Sequence, residues 1–424
     1  MGAFPSSPRD PALPLASSVE SARSRRTLRQ TRSAPTKAGR GRVEHGEGLW
    51  IAQAEFGQAL LDVELALAGE GALDDLTTRL VHARSGVGAS SEQAGHAGLF
   101  GGVAGMLVVL DAACADGRIR RVPELSALDR AVEDLVTDRL TEAADRHMSG
   151  LVPAGAEFDL PEGLVGLGAL LLRRLPHSEV TAAVIEYVVD LTRDRRWGAT
   201  VLPGWWTSID VLRPERGSAD LGLAHGAAGL LAFLAIAMRA GHGDRVPARA
   251  VDNLLGWLTT WQQDGPDGPW WPAQLNLDEI RTGTTAQQAP AESWSRGGIG
   301  IARALQMAAI VTEDTDLRAR AERALVSCLA PARLNQITDP GLYAGTAGIY
   351  QTAVRAAQDA ISPLVFQRLA TAAEALARTG RGWPDDVDFW TGRTGTRLAN
   401  QTLTWREPPF SGWDRYLLTA WMNA

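Results

Sequence analysis

A histidine at the start of an apolar segment is the first candidate for chemistry in this sequence. His225 lies in Leu221–Arg239, LGLAHGAAGLLAFLAIAMR, where a short apolar lead-in and a glycine-containing turn precede an uncharged run. A helix that is apolar on every face must be buried on every side. Imidazole titrates near neutral pH and is the side chain most often used in general acid–base catalysis. The position indicates either an acid–base residue beside a buried helix or a structural histidine in the core.

The turn after His225 is one of six copies of a pattern in which Gly-x-x-Gly precedes a largely apolar run. The first glycines of the copies are Gly102, Gly163, Gly226, Gly297, Gly345 and Gly392. Glycine allows close approach of neighbouring backbones, and a unit that recurs along a chain indicates a repeat architecture. We therefore interpret most of the chain as one closed repeat unit, although its length would allow several domains.

A second kind of helix is predicted after each glycine-containing helix. Behind a plausible N-cap at Ser178, the residues Val180, Val184 and Val188 share one face, as in an amphipathic helix. Apolar helices suit an inner ring and amphipathic helices an outer ring. The sequence thus predicts an all-α fold, an α/α toroid of six or seven helix pairs. The helix expected over Leu49–Leu67 lacks the glycine pattern and is interpreted as an irregular extra element.

All six turns are expected at one end of the barrel, because the inner helices of such a ring point the same way. Helix N-termini carry partial positive charge. The residues that precede the turns then share this face: Phe158-Asp159, His225, Ser293–Arg296, Tyr343-Ala344 and Phe389-Trp390. Tryptophan-rich loops are expected at the same end: Pro203–Trp206, Gly268–Trp271 and Gly382–Asp386. They either surround a cavity for an extended, partly apolar ligand or only plug the barrel.

Charge and composition argue against several classes of function. Residues 1–44 carry nine basic and three acidic side chains and are rich in serine and proline. This composition predicts a disordered basic tail ahead of a folded domain at 45–424. The tail is either an arm that binds an acidic partner or a dispensable segment. Because the net charge is −7, the rest of the chain is acidic, which argues against nucleic acid as a partner.

Cysteine content and hydropathy bear on the compartment. Two cysteines cannot form a disulfide framework, which favours a reducing, cytoplasmic location. The apolar runs are far shorter than the ~20 residues of a membrane span. No secretory signal is evident at the N-terminus.

Several of these segments resemble motifs of the lanthionine synthetase C-like family, the cyclases that form thioether bridges in lanthipeptides. LGLAHGAAG at Leu221–Gly229 resembles the histidine motif of that family, and SWSRGGIGIARAL at Ser293–Leu305 its Ser-Trp-Cys-Tyr-Gly motif. LYAGTAG at Leu342–Gly348 resembles its Leu-Cys-His-Gly motif. FDLPEGLVGLG at Phe158–Gly168 resembles the repeat in which the family carries an aspartate that contacts the histidine, and Trp413–Arg415 is also family-like. The resemblance implies an α/α toroid.

The sequence departs from the family at the zinc ligands, which in the family are two cysteines and a histidine. Ser295, Tyr343 and Ala344 stand at these positions. Zinc is bound by thiolate or imidazole at ~2.0–2.3 Å, which this set does not provide. We therefore predict no metal and no other cofactor. In this respect the chain is similar to the cyclase domains of fused kinase–cyclase synthetases, where the same ligands are missing.

The resemblance implies a Michael addition on a ribosomally made precursor peptide. A cysteine thiolate attacks a dehydroalanine or dehydrobutyrine, and the resulting enolate is protonated. His225 is predicted to be the general acid and Asp159 to orient its ring. Arg296 and the helix N-termini are predicted to favour the thiolate in place of zinc. Substrate contacts are expected from Trp294, Ser295, Arg296 and Tyr343.

Other interpretations remain open. The chain could be a non-catalytic peptide-binding scaffold that assists partner enzymes such as a kinase, a lyase or a dehydratase. It could also be a carbohydrate-active toroid that uses Asp159 and Glu292 as paired carboxylates. For single residues, Asp159 could only cap its helix, Arg296 could only form a surface salt bridge, and Tyr343 could only fill the space that zinc would occupy.

Overall fold

The computed structural model describes residues 53–70, 98–115, 117, 125–198, 200–380 and 388–422. The predicted tail at 1–44 and the predicted loop at Gly382–Asp386 lie outside the described residues. The helices are α1 Gln53–Leu67, α2 Gly102–Ala113, α3 Leu125–Met148, α4 Gly155–Phe158, α5 Leu164–Arg174, α6 Glu179–Leu191, α7 Ala227–Ala237, α8 Ala248–Thr260, α9 Leu277–Thr282, α10 Gly298–Val311, α11 Thr315–Cys328, α12 Pro331–Leu334, α13 Thr346–Asp359, α14 Pro363–Thr379 and α15 Arg393–Trp405.

The strands are short and lie in the loops between helices. They are β1 Asp194–Trp197, β2 Thr200–Pro203, β3 Ser218–Asp220, β4 Gln263–Gly265, β5 Gly268–Trp270 and β6 Gln274–Asn276. They form three antiparallel pairs, β1 with β2, β3 with β6 and β4 with β5. In the β3–β6 pair, Asp220 lies opposite Gln274.

Among the described residues, seven helices form a closed inner ring. In ring order they are α1, α2, α5, α7, α10, α13 and α15, and α15 packs back against α1. The outer helices α3, α6, α8, α11 and α14 pack against successive inner helices. This is the predicted α/α toroid. The expectation for the first helix was wrong in one respect. Although α1 lacks the glycine pattern, it is one of the seven inner helices and not an extra element.

Burial separates the two kinds of helix as the sequence predicts. Every residue of α7 is buried, whereas α8 buries only Ala250, Val251, Leu254 and Leu258. On α6, the predicted N-cap is present, because the Ser178 hydroxyl accepts a hydrogen bond from Thr181 N at 3.1 Å. Within the described part of the chain, no helix is both long and apolar enough to cross a membrane.

In five of the six copies of the repeated pattern, the second glycine faces a carbonyl oxygen six residues earlier in the chain. A Cβ added at Gly348 would lie 1.9 Å from Leu342 O, and one added at Gly229 would lie 2.3 Å from Leu223 O. The same relation holds at Gly166, Gly300 and Gly395. These distances leave no room for a side chain, so the pattern lets the incoming loop fold tightly against the first turn of the helix.

Hydrogen bonds between the incoming loops run around this end of the barrel. Leu160 N donates to Ala224 O at 2.9 Å, and Ala224 N donates to Ser295 O at 3.1 Å. Ser295 N donates to Tyr343 O at 3.3 Å, and Tyr343 N donates to Trp390 O at 3.0 Å. We call this series the rim ladder. It fixes, through backbone alone, the relative positions of side chains that come from five different repeats.

The C-terminal segment, residues 409–422, lies against inner helices from several sides of the ring. Glu64 of α1 accepts hydrogen bonds from Phe410 N and Ser411 N. Arg303 of α10 donates to Thr419 O at 2.9 Å, and Arg173 of α5 donates to Met422 O at 3.1 Å. Because the segment is largely buried and contacts helices far apart in the ring, it lies across the ring interior.

Candidate functional site

His225 is held at both ring nitrogens. Its Nδ1 lies 2.8 Å from Asp159 Oδ2, and its Nε2 lies 2.8 Å from the Tyr343 hydroxyl oxygen. The side chain is 23% exposed, so one part of the ring faces solvent. Three residues from three repeats therefore form one hydrogen-bonded series, which we call the Asp–His–Tyr chain.

Asp159 sets the direction of hydrogen bonding in this chain. Its Oδ1 accepts hydrogen bonds from Glu162 N at 2.8 Å and from Gly163 N at 3.0 Å. An ionised carboxylate can only accept, so His225 Nδ1 is the donor to Oδ2. In the neutral ring, Nε2 is then an acceptor and Tyr343 is its donor. Asp159 thus bonds both the turn ahead of α5 and the imidazole. The N-cap of α5 is Gly163, with no side-chain cap, so the capping interpretation is not confirmed.

Arg296 lies beside the Asp–His–Tyr chain. It is paired with the buried carboxylate of Asp220, which was not predicted from the sequence. Its Nε lies 3.0 Å from Asp220 Oδ2, while 41% of the arginine side chain stays exposed. Asp220 also accepts from Gly222 N at 2.7 Å. Burial raises the pKa of Asp220 and the Arg296 guanidinium opposes that effect. The ion pair therefore holds Arg296 in place with part of its charge toward solvent.

A sequence signal for Asp220 did exist. Asp220 and Asp339 each stand six residues before the first glycine of their repeat. Each accepts a hydrogen bond from the backbone N–H two residues further on, at Gly222 and Gly341. The spacing marks a turn, but only the fold places Arg296 next to one of the two aspartates.

Tyr343 is partly exposed, and its neighbours fix its ring. The ring lies 6.3 Å from Trp390 and 6.4 Å from Trp294, in both cases close to perpendicular. Burial raises the pKa of Tyr343, while Arg296 lowers it. The phenol is therefore protonated at neutral pH and able to donate to His225.

The four residues predicted to contact substrate separate into two groups. Arg296 and Tyr343 are partly exposed, whereas Trp294 and Ser295 are 0% and 1% exposed. Trp294 Nε1 donates to Leu417 O in the C-terminal segment at 3.0 Å. Contrary to expectation, Trp294 and Ser295 lie behind the site and support it. Trp390, which stacks on Trp294 at 5.3 Å, is the partly exposed tryptophan here.

Three of the four tryptophans in the pairs of the other loops serve in packing, whereas Trp270 is partly exposed. Trp205, Trp206 and Trp271 are at most 1% exposed. Trp206 Nε1 donates to Pro214 O at 2.8 Å, and Trp271 Nε1 donates to Leu258 O at 2.7 Å. At these positions the structure favours the plug interpretation over a ligand-binding one.

The residues at the family's zinc positions do not fit that metal. Ser295 has a buried hydroxyl, Tyr343 is protonated and hydrogen-bonded to His225, and Ala344 has only a methyl group. Zinc sites need thiolate, imidazole or carboxylate donors. Over the described ranges, no group of three or more histidine, cysteine, aspartate or glutamate side chains could hold a metal ion.

The second carboxylate of the carbohydrate interpretation is already engaged. Glu292 is 5% exposed and lies 2.7 Å from Arg333 Nη1. Its other oxygen accepts a hydrogen bond from Ile299 N at the start of α10. Glu292 therefore anchors a helix start, which does not favour a role in glycoside hydrolysis.

Comparisons with known proteins agree with this geometry. The inner and outer rings of helices define an α/α toroid. A family model described as "Lanthionine synthetase C-like protein" matches residues 79–383, more than half of the chain. The chain belongs to the lanthionine synthetase C-like family. Among solved structures, nisin cyclase is similar with a TM-score of 0.72 and 18% identity, over 96% of this chain and 97% of that chain. None of the curated proteins compared matches this chain.

Proposed function

We propose that this protein is a lanthipeptide-type cyclase that works without zinc. Its substrate is a ribosomally made precursor peptide that carries dehydroalanine or dehydrobutyrine and a cysteine. The observation that carries the proposal is the Asp–His–Tyr chain, which stands at the open end of a toroid of the cyclase family. An acid–base pair at that place suits a reaction that begins and ends with proton transfer.

The reaction requires an ionised thiol and later a proton for carbon. Arg296 and the N-termini of the inner helices supply the positive potential that favours the thiolate. The Asp220 ion pair holds the guanidinium where it acts. His225 is the general acid, and Asp159 keeps its ring oriented and stabilises the imidazolium. Each task is then assigned to side-chain or backbone groups of the protein.

Partners follow from the chemistry of the substrate. Dehydroamino acids must be made before cyclisation, so an enzyme that removes the hydroxyl of serine or threonine has to act first. A kinase and a lyase acting on the same peptide would supply this step. The net charge of −7 argues against nucleic acid as a partner.

The second candidate function is a peptide-binding scaffold without catalysis. The missing zinc donors support it, since a family member that has lost catalytic activity no longer needs them. The Asp159–His225 hydrogen bond speaks against it, because peptide binding alone does not require an oriented, partly exposed imidazole. The two functions are distinguished by whether the protein catalyses cyclisation of the peptide.

Cyclisation is measured with synthetic peptides that contain one dehydroalanine and one cysteine, by counting free thiols over time. We expect thiol loss well above the protein-free rate. His225→Asn should reduce the rate by ~10²-fold or more, the usual effect of losing a general acid. Asp159→Asn should reduce it less, because that residue only orients the ring.

Circular dichroism of both variants serves as the folding control. A small polar residue at a helix start is tolerated, so His225→Asn should keep the helical signal. Equal rates for the wild type and His225→Asn, with the protein folded, would favour the scaffold function.

A further inference from the structure

Neither nitrogen of the His225 ring is free to meet a substrate. Asp159 occupies Nδ1 and the Tyr343 hydroxyl occupies Nε2, both at 2.8 Å. A proton that leaves or reaches Nε2 along these hydrogen bonds must pass through the tyrosine oxygen. The group at the substrate end of the Asp–His–Tyr chain is therefore a phenol.

Tyr343 is also placed to touch a bound peptide. It is partly exposed, and the next residue, Ala344, is exposed, so no larger side chain follows it at the rim. Its backbone N–H is held by Trp390 O in the rim ladder, and its carbonyl accepts from Ser295 N. The ring contacts of Trp294 and Trp390 fix the orientation of the phenol.

We propose that the Tyr343 hydroxyl is the catalytic residue that exchanges protons with the substrate, and that His225 acts through it. This inference rests on the proposed cyclisation. Tyr343 stands where the family has a zinc ligand, and on this reading it takes part in the chemistry instead of filling a space.

The proton balance closes without any added reactant. The Tyr343 oxygen takes the proton of the cysteine thiol while its own proton moves to His225 Nε2, which leaves a thiolate and an imidazolium. The thiolate forms a bond to the β-carbon of the dehydroamino acid, whose double-bond electrons move to give an enolate. The Tyr343 hydroxyl then protonates the α-carbon and recovers a proton from Nε2. The thiol proton has become the α-proton, and both residues return to their first state.

The charges around the phenol suit such a shuttle. Arg296 favours a transient phenolate and Asp220 and Asp159 disfavour it, while hydrogen bonding by Ser295 favours it. The imidazolium that forms in the same step lies 2.8 Å from the Asp159 carboxylate. The charged groups facing Tyr343 thus stabilise proton transfer to His225 without holding the phenol ionised at rest.

The test is Tyr343→Phe, which keeps the ring and its tryptophan contacts and removes only the hydroxyl. We expect kcat for thiol loss from the same synthetic peptides to fall by ~10²-fold or more, with little change in KM. The residual reaction should follow ionisation of the free thiol, whose pKa is about 8.5, so its rate profile should move to higher pH. A merely structural role would lower the rate evenly at all pH values.

Tyr350→Phe is the matched control. Tyr350 is a second tyrosine of the same repeat, buried at 4% exposure on α13 and outside the site. Its variant should keep the wild-type rate and profile. An active wild type with an unchanged Tyr343→Phe variant would overturn the inference alone, whereas an inactive wild type would overturn the proposed cyclisation itself.

A second readout does not depend on activity. Nitrogen NMR of His225 should show the neutral ring protonated on Nδ1, with the Nε2 signal changing in Tyr343→Phe because its hydrogen bond is lost. A neutral ring protonated on Nε2 would contradict the proposed direction of the chain and overturn the inference.

Discussion

At the level of single residues, the site separates its two buried carboxylates by giving each a different partner. Asp159 is hydrogen-bonded to the imidazole of His225, and Asp220 is hydrogen-bonded to the guanidinium of Arg296. The first pair can move a proton, whereas the second pair can only supply charge, because a guanidinium does not deprotonate in proteins. This division assigns acid–base work and electrostatic work to separate groups.

The donor atoms at the site lead to a prediction about metal content. Ser295, Tyr343 and Ala344 present two hydroxyls and a methyl group, so protein purified with zinc present should hold well under one equivalent by elemental analysis. Treatment with a chelator should leave its thermal unfolding unchanged. Zinc bound tightly at one equivalent would contradict this prediction and require ligands elsewhere in the chain.

Sequence reasoning could identify some of these residues and not others. His225 and Asp159 carry motif positions, so their contact could be anticipated from the resemblance. The contact of Tyr343 with Nε2 depends on the register of the rim ladder, which no local pattern encodes. Trp294 and Ser295 were misplaced because motif spacing gives a position along the chain but does not tell which side chains turn inward.

At the level of elements, the glycine pattern acts through backbone packing. Gly348 faces Leu342 O at a distance no Cβ could accept. Gly348→Ala should therefore lower the free energy of unfolding by about 3 kcal/mol, the upper part of the range for overpacked interiors. Denaturant unfolding followed by circular dichroism measures the change.

Gly256→Ala is the matched control for this prediction. Gly256 lies within α8, is exposed, and has no atom within 4 Å of an added Cβ. Alanine there should raise stability by roughly 0.5–1 kcal/mol, since glycine weakens a helix interior by that amount. Similar effects of the two substitutions would show that the close approach at Gly348 is not what requires glycine.

The repeat made the ring of helices predictable. The elements that lack the repeat, α1 and the short strands, were harder to predict. Six inner helices carry the glycine pattern, whereas α1 joins the ring without it and was interpreted as an extra element. The strands have three or four residues each, too short for alternation to show in sequence. One of them, β3, nevertheless ends at Asp220 and so positions Arg296.

At the level of the whole molecule, the C-terminal segment joins the ring to the site. Trp294 Nε1 donates a hydrogen bond to Leu417 O. Two buried side chains of α13, Gln351 and Arg355, donate hydrogen bonds to Asp414. The resemblance covered Trp413–Arg415, but neither spacing nor periodicity indicated that this stretch fills the barrel. Its contacts are long-range, and such contacts leave no local signal.

The last prediction concerns the buried ion pair that anchors this segment. Asp414 is 0% exposed and accepts from Arg355 Nε at 2.6 Å and from Gln351 Nε2 at 2.7 Å. Burial alone would lower the pKa of Arg355, and the Asp414 carboxylate raises it overall. Asp414→Ala would leave a buried guanidinium unpaired, so it should cost about 3–5 kcal/mol of unfolding free energy, measured by denaturant unfolding. Asp278→Ala, which removes a well-exposed partner 3.8 Å from Arg281, should have little effect because exposed pairs contribute little. If both variants unfolded alike, the C-terminal segment would not be an anchored part of the core.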